Sequence, residues 1–461
     1  MYGIQIGPDS ELSQYQQLYL KLRERIHNGS VPPGKRLAST RELSKSLGIS
    51  RSIVLEVFDQ LKVEGYISTV KGSGTYVKHS LVIREEPPEV SSSVGKSAEA
   101  AENRISFIAG MPDLAMFPKR DWNRCYKHFV EYAGEEELGY PPYAGAKALR
   151  EAVSGYLYRM KGISAGPDEI MITSGASQAL AIIAVMKKSA RILLEDPLAG
   201  FVHEIFKACG CRIGYLPVDN EGIVTDSIPS GAADFIYVSP SHQFPLGGTL
   251  SAGRRIGLLR TAEKKDAYII EDDYDGEYRY GSRPIAPICA ISRKRVLYIG
   301  TFSKILSPAL RIGYLVIPPS LADDCRRVKK LWSYLSEGIS QNVMAEFIRR
   351  GYLDRHVRKS VKHYHDKNKR LLKLIDGILE DGWRVLGATT GLHLVLQRDG
   401  AVFDRQYVSR LKKRGIEAET ADMYCIRSTE HHDKLILGYG NRRIGELEYA
   451  LRVIKEVSDN T

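Results

Sequence analysis

Apolar residues recur at helical spacing near the start of the chain, where Tyr15, Leu18, Leu22 and Ile26 fall on one face. Val54, Val57, Phe58 and Leu61 repeat the pattern further on. Between these runs, Ser39 followed by Glu42 has the spacing of a capping box, which predicts a helix ending before Gly48. Ser50 can cap the next helix and Gly65 ends it. "YISTVKGSGTYV" then alternates around Lys71–Gly74 as a two-stranded hairpin does. Helices joined by a tight glycine turn, followed by a hairpin, predict a winged helix-turn-helix.

Further along, the pattern changes to short β-rich runs alternating with helical segments. "EIMIT", "RILLE", "FIYVS", "YIIED", "VLYIG" and "GYLVI" are the candidate strands, several with polar residues at their C-terminal ends. Such alternation predicts an α/β fold: a mostly parallel sheet with helices on both faces and ligands at the strand C-termini. From about residue 320 a long helical stretch should lead to a smaller α+β portion. Residues 81–104, "LVIREEPPEVSSSVGKSAEAAENR", carry prolines, a serine run and charges without apolar periodicity, so they read as a flexible linker. The expected organisation is therefore multidomain: a winged helix over 1–80, the linker over 81–104, and a large α/β unit over 105–461.

Composition narrows the function classes only a little. A chain of 461 residues with 43% hydrophobic residues can bury a substantial core. No uninterrupted apolar run is long enough for a membrane helix, and the N-terminus lacks the pattern of a secretory signal, which points to the cytoplasm. The six cysteines are scattered, with only Cys209 and Cys211 close together, so a reduced compartment and no metal site are expected. The net charge of +11 suits a polyanionic partner without identifying one.

Chemistry enters first at the third helix, which opens Ser50-Arg51-Ser52, with Arg41 at the start of the helix before it. A recognition helix presents its N-terminal residues to base edges while preceding residues hold phosphates. Arg51 can bond a guanine edge with two N–H groups, and Ser50 and Ser52 can reach phosphate or base. Lys71 and Gly72 suit a wing whose backbone approaches the duplex closely. Residues 12–77, in "LASTRELSKSLGISRSIVLEVFDQLKVEGYISTVKGSGTYV", resemble the GntR class of bacterial winged-helix repressors. The resemblance implies that Arg41, Arg51 and Gly72 sit at double-stranded DNA, with Ser50, Ser52 and Lys71 as further contacts.

A second site is written in "YIGTFSKILSPALRIGYLVI". Lys304 stands there beside Thr301 and Ser303 and seven residues before Arg311, groups that could hold a phosphate next to a nucleophilic amine. "TSGASQALAI" follows a strand and opens a helix, offering free N–H groups to the same phosphate. "IIEDDYDGEYRY" ends a strand with acids that could pair with a protonated pyridine nitrogen. A lysine for an aldehyde, a phosphate cradle and a carboxylate for a pyridinium together describe pyridoxal 5′-phosphate.

This constellation resembles the fold-type I aminotransferases from about Ile105 to the C-terminus. The resemblance implies Lys304 as the Schiff-base lysine, Asp272 at the pyridine nitrogen and Tyr274 near the ring's 3′ oxygen. It implies Ala176, Ser177, Thr301, Ser303 and Arg311 as the phosphate cradle, and Tyr143, in "YPPYAGAKALREAV", near the substrate mouth. Departures fall on the substrate side. Phe244 stands where such enzymes have an asparagine, and Ala199 where an aromatic residue is expected. The arginine that clamps a substrate carboxylate should fall near Ile436; Arg427, Arg442 and Arg443 are the nearby candidates to replace it, and Arg427 is the one expected.

A winged helix joined to an aminotransferase-like domain resembles the MocR subgroup of the GntR regulators, as do "PSHQFP" and "EDDYDGEYRY". The resemblance implies a transcription regulator that senses pyridoxal phosphate or an amino compound through an aldimine. It also implies a homodimer, head to tail, that presents two winged helices to paired DNA sites. Two other readings stand beside it: a working aminotransferase with an accessory DNA-binding domain, and a regulator whose pocket is only structural. The altered carboxylate side argues against the first, and the Lys304–Asp272 pair against the second. The basic runs 326–330 and 355–370 are expected to be solvated helix faces.

Overall fold

The structure, a computed structural model, describes residues 2–8, 10, 12–78, 104–280, 285–332, 336–379, 381–427 and 430–459. It divides into two compact units, Met1–Glu99 and Ala100–Thr461. The segment expected as a linker lies, apart from Arg104, outside the described residues.

The small unit has three helices, α1 (Gln14–His27), α2 (Thr40–Leu47) and α3 (Arg51–Val63), and a hairpin of β1 (Ile67–Val70) and β2 (Gly74–Val77). Each boundary has a local cause. Ser39 Oγ accepts from the Glu42 N–H while the Glu42 carboxylate accepts from the Ser39 N–H, closing the capping box. Gly48 ends α2 in the left-handed conformation, φ +66°, which turns the chain sharply into α3. Ser50 Oγ accepts from the Ile53 N–H and starts that helix. Leu18, Leu22 and Ile26 of α1 meet Val54, Val57, Phe58 and Leu61 of α3 in one buried core. The antiparallel hairpin pairs Ile67 with Val77 and Val70 with Gly74, closing its turn over Lys71–Ser73.

The large unit is built on an eight-stranded sheet. All six predicted strands belong to it, joined by Arg212–Asp219 and Gly222–Ile223, which the sequence pattern did not suggest. Arg212–Asp219 is mostly part-exposed along its length, so its apolar signal is diluted. Five strands run parallel: Val296–Thr301, Tyr268–Asp273, Phe235–Val238, Arg191–Asp196 and Arg212–Asp219. Gly313–Val316 is antiparallel to both of its neighbours, because it returns directly from Val296–Thr301 without a crossover helix. Separate apolar clusters cover the two faces of the sheet, so its central strands are buried on both faces, as a parallel sheet requires, while Arg212–Asp219 near the edge is part-exposed.

The helices Ala322–Trp332, Ile339–Arg349 and Tyr352–Ile378 follow the sheet. They lead to a smaller four-stranded antiparallel sheet that shares a third core with the end of the last of them. That 27-residue helix turns Leu353, Val357, Tyr364 and Leu371 inward and exposes Arg355, Arg358, Lys359 and Lys362, the solvated face expected of 355–370. The run 326–330 behaves differently. Arg326 and Arg327 make short-range pairs with Asp323 and Asp324, but Lys329 is fully buried and donates to Gln178 Oε1 and Ser336 Oγ, each at 2.8 Å. Burial pushes its amine down to about 8. Among the described residues no helix is long and apolar enough to cross a membrane.

Candidate functional site

The C-terminal ends of neighbouring strands converge on a cavity of about 440 Å³. Tyr268–Asp273 delivers Asp272 and then Tyr274, and the adjacent parallel strand Val296–Thr301 delivers Thr301, Ser303 and Lys304. Ala176 and Ser177 reach the same cavity from the first turn of the helix Ala176–Met186. Arg311 enters from the turn before the antiparallel strand. Eight of the residues expected at a cofactor, scattered over 136 positions of sequence from Ala176 to Arg311, thus line one space.

Two corners of the cavity are shaped by the backbone. Gly175 caps the helix at φ +105° with no side-chain cap, so the N–H groups of the first turn are left for a ligand. A Cβ on Gly175 would lie 3.2 Å from an Arg311 guanidinium nitrogen, so the glycine lets the arginine close over the helix end. Arg311 itself has φ +51°, a conformation that costs a non-glycine residue energy and is held here by its surroundings. Gly110, at φ +76°, makes room for Lys304: a Cβ there would lie 2.8 Å from Nζ.

Electrostatics divide the cavity. Asp272 is 5% exposed; its Oδ2 accepts a 2.9 Å hydrogen bond from the Tyr237 hydroxyl, and its Oδ1 has no partner. Burial pushes this carboxyl up to about 6 against the pull of the Tyr237 bond. Burial likewise holds the Lys304 amine below the ordinary lysine range, opposed by the charges of Asp275 and Asp272. Behind Asp272, Lys161 Nζ meets Asp273 Oδ2 at 2.8 Å and Glu277 Oε1 at 3.1 Å in the interior. Tyr298 donates to the same Asp273 oxygen at 2.6 Å and Tyr156 to Glu277 at 3.1 Å. This network pins the strand end that carries Asp272.

Several of these partners have no sequence signature. Tyr237 reads as one apolar residue of a buried strand. His242, Asp275 and His393 are all fully buried and grouped, with His242 Nδ1 2.9 Å from Asp275 Oδ2. The two imidazoles stack with centroids 4.3 Å apart and planes 28° from parallel, so their lone pairs do not converge on a shared ion. The trio instead backs Tyr274, whose hydroxyl donates to the His242 carbonyl at 2.9 Å. Motif spacing places His242 and Asp275 near the site, but His393 comes from the small sheet and only folding brings it there.

Two expected residues stand elsewhere. The exposed Arg427 turns its guanidinium onto the Tyr215 ring, 5.0 Å from the centroid, while its N–H donates to Asp196; it does not line the cavity. Tyr143 is also outside the lining and faces Lys330, whose Nζ is 5.4 Å from the ring centroid. Ile436, at the position expected of a carboxylate-binding arginine, is a core residue of the strand Lys434–Gly438. Phe244 does line the cavity, meeting Tyr424 edge-on at 4.9 Å, and Phe201 joins it there.

In the small unit, Arg41, Ser50, Arg51, Ser52, Lys71 and Gly72 are all exposed. Ser50 and Ser52 hydroxyls lie 2.8 Å apart, and Arg51 Nε is 3.4 Å from Thr40 Oγ1, so the two helix starts adjoin. Arg36 was missed by sequence reading. It bridges to Tyr76 on β2, and a Cβ on Gly74 would lie 2.6 Å from its Nε, so it adds a cation beside the hairpin.

Comparison with known proteins agrees with both halves. Residues 14–77 match the gntR family of bacterial regulatory proteins, and residues 111–417 match aminotransferase class I and II. The chain is 32% identical to the uncharacterized HTH-type transcriptional regulator YdeL of Bacillus subtilis, over 92% of this chain and 91% of that one. It is 31% identical to the probable rhizopine catabolism regulatory protein MocR of Rhizobium meliloti, over 94% and 91% of the two chains. The kynurenine aminotransferase of Pyrococcus horikoshii superposes with a TM-score of 0.72 at 25% identity, over 78% of this chain and 91% of that one. The chain therefore belongs to the MocR subgroup of transcriptional regulators, in which a gntR-family DNA-binding domain is joined to a pyridoxal phosphate-binding domain of the aminotransferase class I and II fold.

Proposed function

We propose that the large unit holds pyridoxal 5′-phosphate on Lys304 and registers an amine ligand there, while the small unit reads duplex DNA. The observation that carries this is the meeting of Lys304, Asp272 and Arg311 in one cavity, with a buried Asp272 oxygen lacking any partner. A carboxylate in that state is stabilised by a cationic N–H such as a pyridinium. Arg311, Thr301, Ser303 and the free N–H groups at Ala176 and Ser177 make a cradle for a phosphate dianion. Tyr274 would lie near the ring oxygen. Bound there, the cofactor supplies an aldehyde for condensation with primary amines and a ring that draws electrons. The depressed basicity of Lys304 increases the fraction of its amine that is a neutral nucleophile.

On the DNA side, Arg51 would read a base edge, and Arg41, Ser50, Ser52, Lys71 and the backbone at Gly72 would hold phosphates. A homodimer, head to tail, would place two such units on paired sites. Its support is an exposed apolar group: Tyr140 is 90% and Leu331 73% exposed, with Trp332, Leu138 and Ile339 also uncovered. Tyr143 stands two residues beyond Pro141, itself packed against Gly338, so this face would carry Tyr143 toward the partner's cavity. A cytoplasmic location suits the six free cysteines and the DNA target. The ligand, an amino compound or pyridoxal phosphate itself, biases the regulator by binding one of its conformations better than another.

Borohydride reduction of the cofactor-loaded protein, followed by peptide mapping, tests the core of this reading. The pyridoxyl group is expected on Lys304. Labelling at another lysine, or a colourless protein after incubation with the cofactor, overturns it.

A further inference from the structure

Part of the cavity lining is aromatic, with Phe244 edge-on to Tyr274 at 6.4 Å. Phe201, Phe244 and Tyr424 belong to this part, with Ala199 and Pro308 beside them. Phe244 packs edge-on against Tyr424 at 4.9 Å and 89°, and against His393 at 5.4 Å, so its ring is held in place from two sides. Phe201, in the first turn of the helix Gly200–Ala208, is 46% exposed and therefore has ring surface left to cover. Of the lining side chains with a charge, Asp272, Lys304 and Arg311, each is taken up by one part of the cofactor on the reading above.

A ligand carboxylate entering this space would need a cation to replace its water. Among the described residues no cation besides Lys304 and Arg311 lines the cavity. Arg427 lies on Tyr215, and Arg442 pairs with Glu446 at 3.7 Å and with the Asn441 side chain at 3.1 Å. Burial, and then the neighbouring Glu419 carboxylate, hold the Tyr424 hydroxyl well above the ordinary tyrosine range, so it stays neutral. What the cavity offers instead is ring surface, which rewards the burial of an apolar or aromatic body.

We propose that the effector class of this site is a primary amine with an aromatic or apolar body and no carboxylate, seated among Phe201, Phe244 and Tyr424. The inference rests on the cofactor reading above. The amine would exchange for the Lys304 amine at the cofactor's carbonyl carbon, so one C=N bond forms as another breaks, Lys304 leaves as the free amine, and no water, oxidant or reductant is required. Phe201 and Phe244 then decide which amines stay.

The test titrates the full-length, cofactor-loaded protein with 2-phenylethylamine, L-phenylalanine and γ-aminobutyrate, following the visible absorbance. Free cofactor is titrated in parallel to correct for the intrinsic reactivity of each amine. After that correction 2-phenylethylamine should half-saturate at a concentration roughly tenfold or more below either carboxylate-bearing amine, against γ-aminobutyrate because a phenyl ring is buried and against L-phenylalanine because its carboxylate loses water without gaining a cation. Phe201→Ala should erase most of the preference over γ-aminobutyrate, by weakening 2-phenylethylamine, while leaving the starting spectrum and the γ-aminobutyrate titration unchanged. Phe201→Leu, which keeps apolar surface, should retain part of it. Equal or tighter binding of L-phenylalanine or γ-aminobutyrate overturns the inference and leaves the cofactor reading intact. A preference over γ-aminobutyrate untouched by Phe201→Ala also overturns it. A protein with no cofactor absorbance before any amine is added ends both.

Discussion

The Tyr237 hydroxyl donates to Asp272 Oδ2 at 2.9 Å, while Oδ1 of the same buried carboxylate is left without a partner. One oxygen is thus positioned and the other is kept for something the protein chain does not supply. The pair sits on adjacent parallel strands, Tyr237 opposite Ile270 and Val238 opposite Glu271, so the sheet register itself brings donor and acceptor together.

That arrangement has a pH signature. The Asp272 carboxyl is raised from 3.8 to about 6, so its protonated form is favoured by folding. Its contribution to stability is fully present below about pH 4 and is lost as pH rises through 6, a term on the order of 3 kcal/mol. Glu195 and Glu271, both raised to about 7 by burial, act in the same direction. Thermal melts of the cofactor-free protein should therefore show a fall in Tm from pH 4.5 to 7.5 that is shallower in Asp272→Asn, and added pyridoxal phosphate should restore Tm at pH 7.5 in the wild type only. Parallel pH profiles in the two proteins would rule out Asp272 as the group responsible.

The buried Lys161 should be more costly to lose than a surface lysine. Lys161→Met leaves Asp273 and Glu277 facing each other without their cation, and breaking such a pair costs about 3–5 kcal/mol. Denaturant unfolding should show that loss at neutral pH, with partial recovery at pH 5 as Glu277, already raised by burial, takes up a proton. A loss under about 1 kcal/mol, as for an exposed pair, would mean the network does not hold this strand end.

For DNA binding, Arg51→Ala should relax specificity at one base and cost about 1–3 kcal/mol, while Arg41→Ala should weaken all sequences alike and lower the salt dependence. Arg36→Ala should resemble Arg41→Ala, since it adds charge beside the hairpin rather than a base contact. Footprints and salt titrations of the three variants separate the roles; an Arg51→Ala protein with an unchanged footprint would place base reading elsewhere.

Multiple-turnover transamination should be negligible. Repeated proton transfer needs an amino acid and then a keto acid held in register, and misplacement by about 1 Å costs on the order of a hundredfold. Here Arg427 is outside the cavity and Phe244 takes the place of a hydrogen-bonding residue. Product assays over hours with several donors and excess keto acid should detect slow half-reactions only, and turnover at ~1 s⁻¹ or above would make the chain an enzyme first.

What the sequence determined by itself is what depends on near neighbours. The capping box Ser39–Glu42, the turn at Gly48, the Ser50 cap and the hairpin turn are all decided within four residues, where hydrogen-bonding side chains and glycine act directly on the backbone. The strand ends carrying Asp272, Thr301 and Lys304 were legible for a related reason: a run of buried apolar residues that stops at polar ones marks both the strand and its functional end. The tertiary structure alone decided the rest. It made Gly313–Val316 antiparallel, set Tyr237 across from the segment bearing Asp272, and stacked His393 on His242 from 151 residues away. It also sent Arg427 out to Tyr215 and drew Lys329 inside. Such outcomes depend on which chain segments meet and what partner each long side chain finds there, and a local pattern carries no record of either.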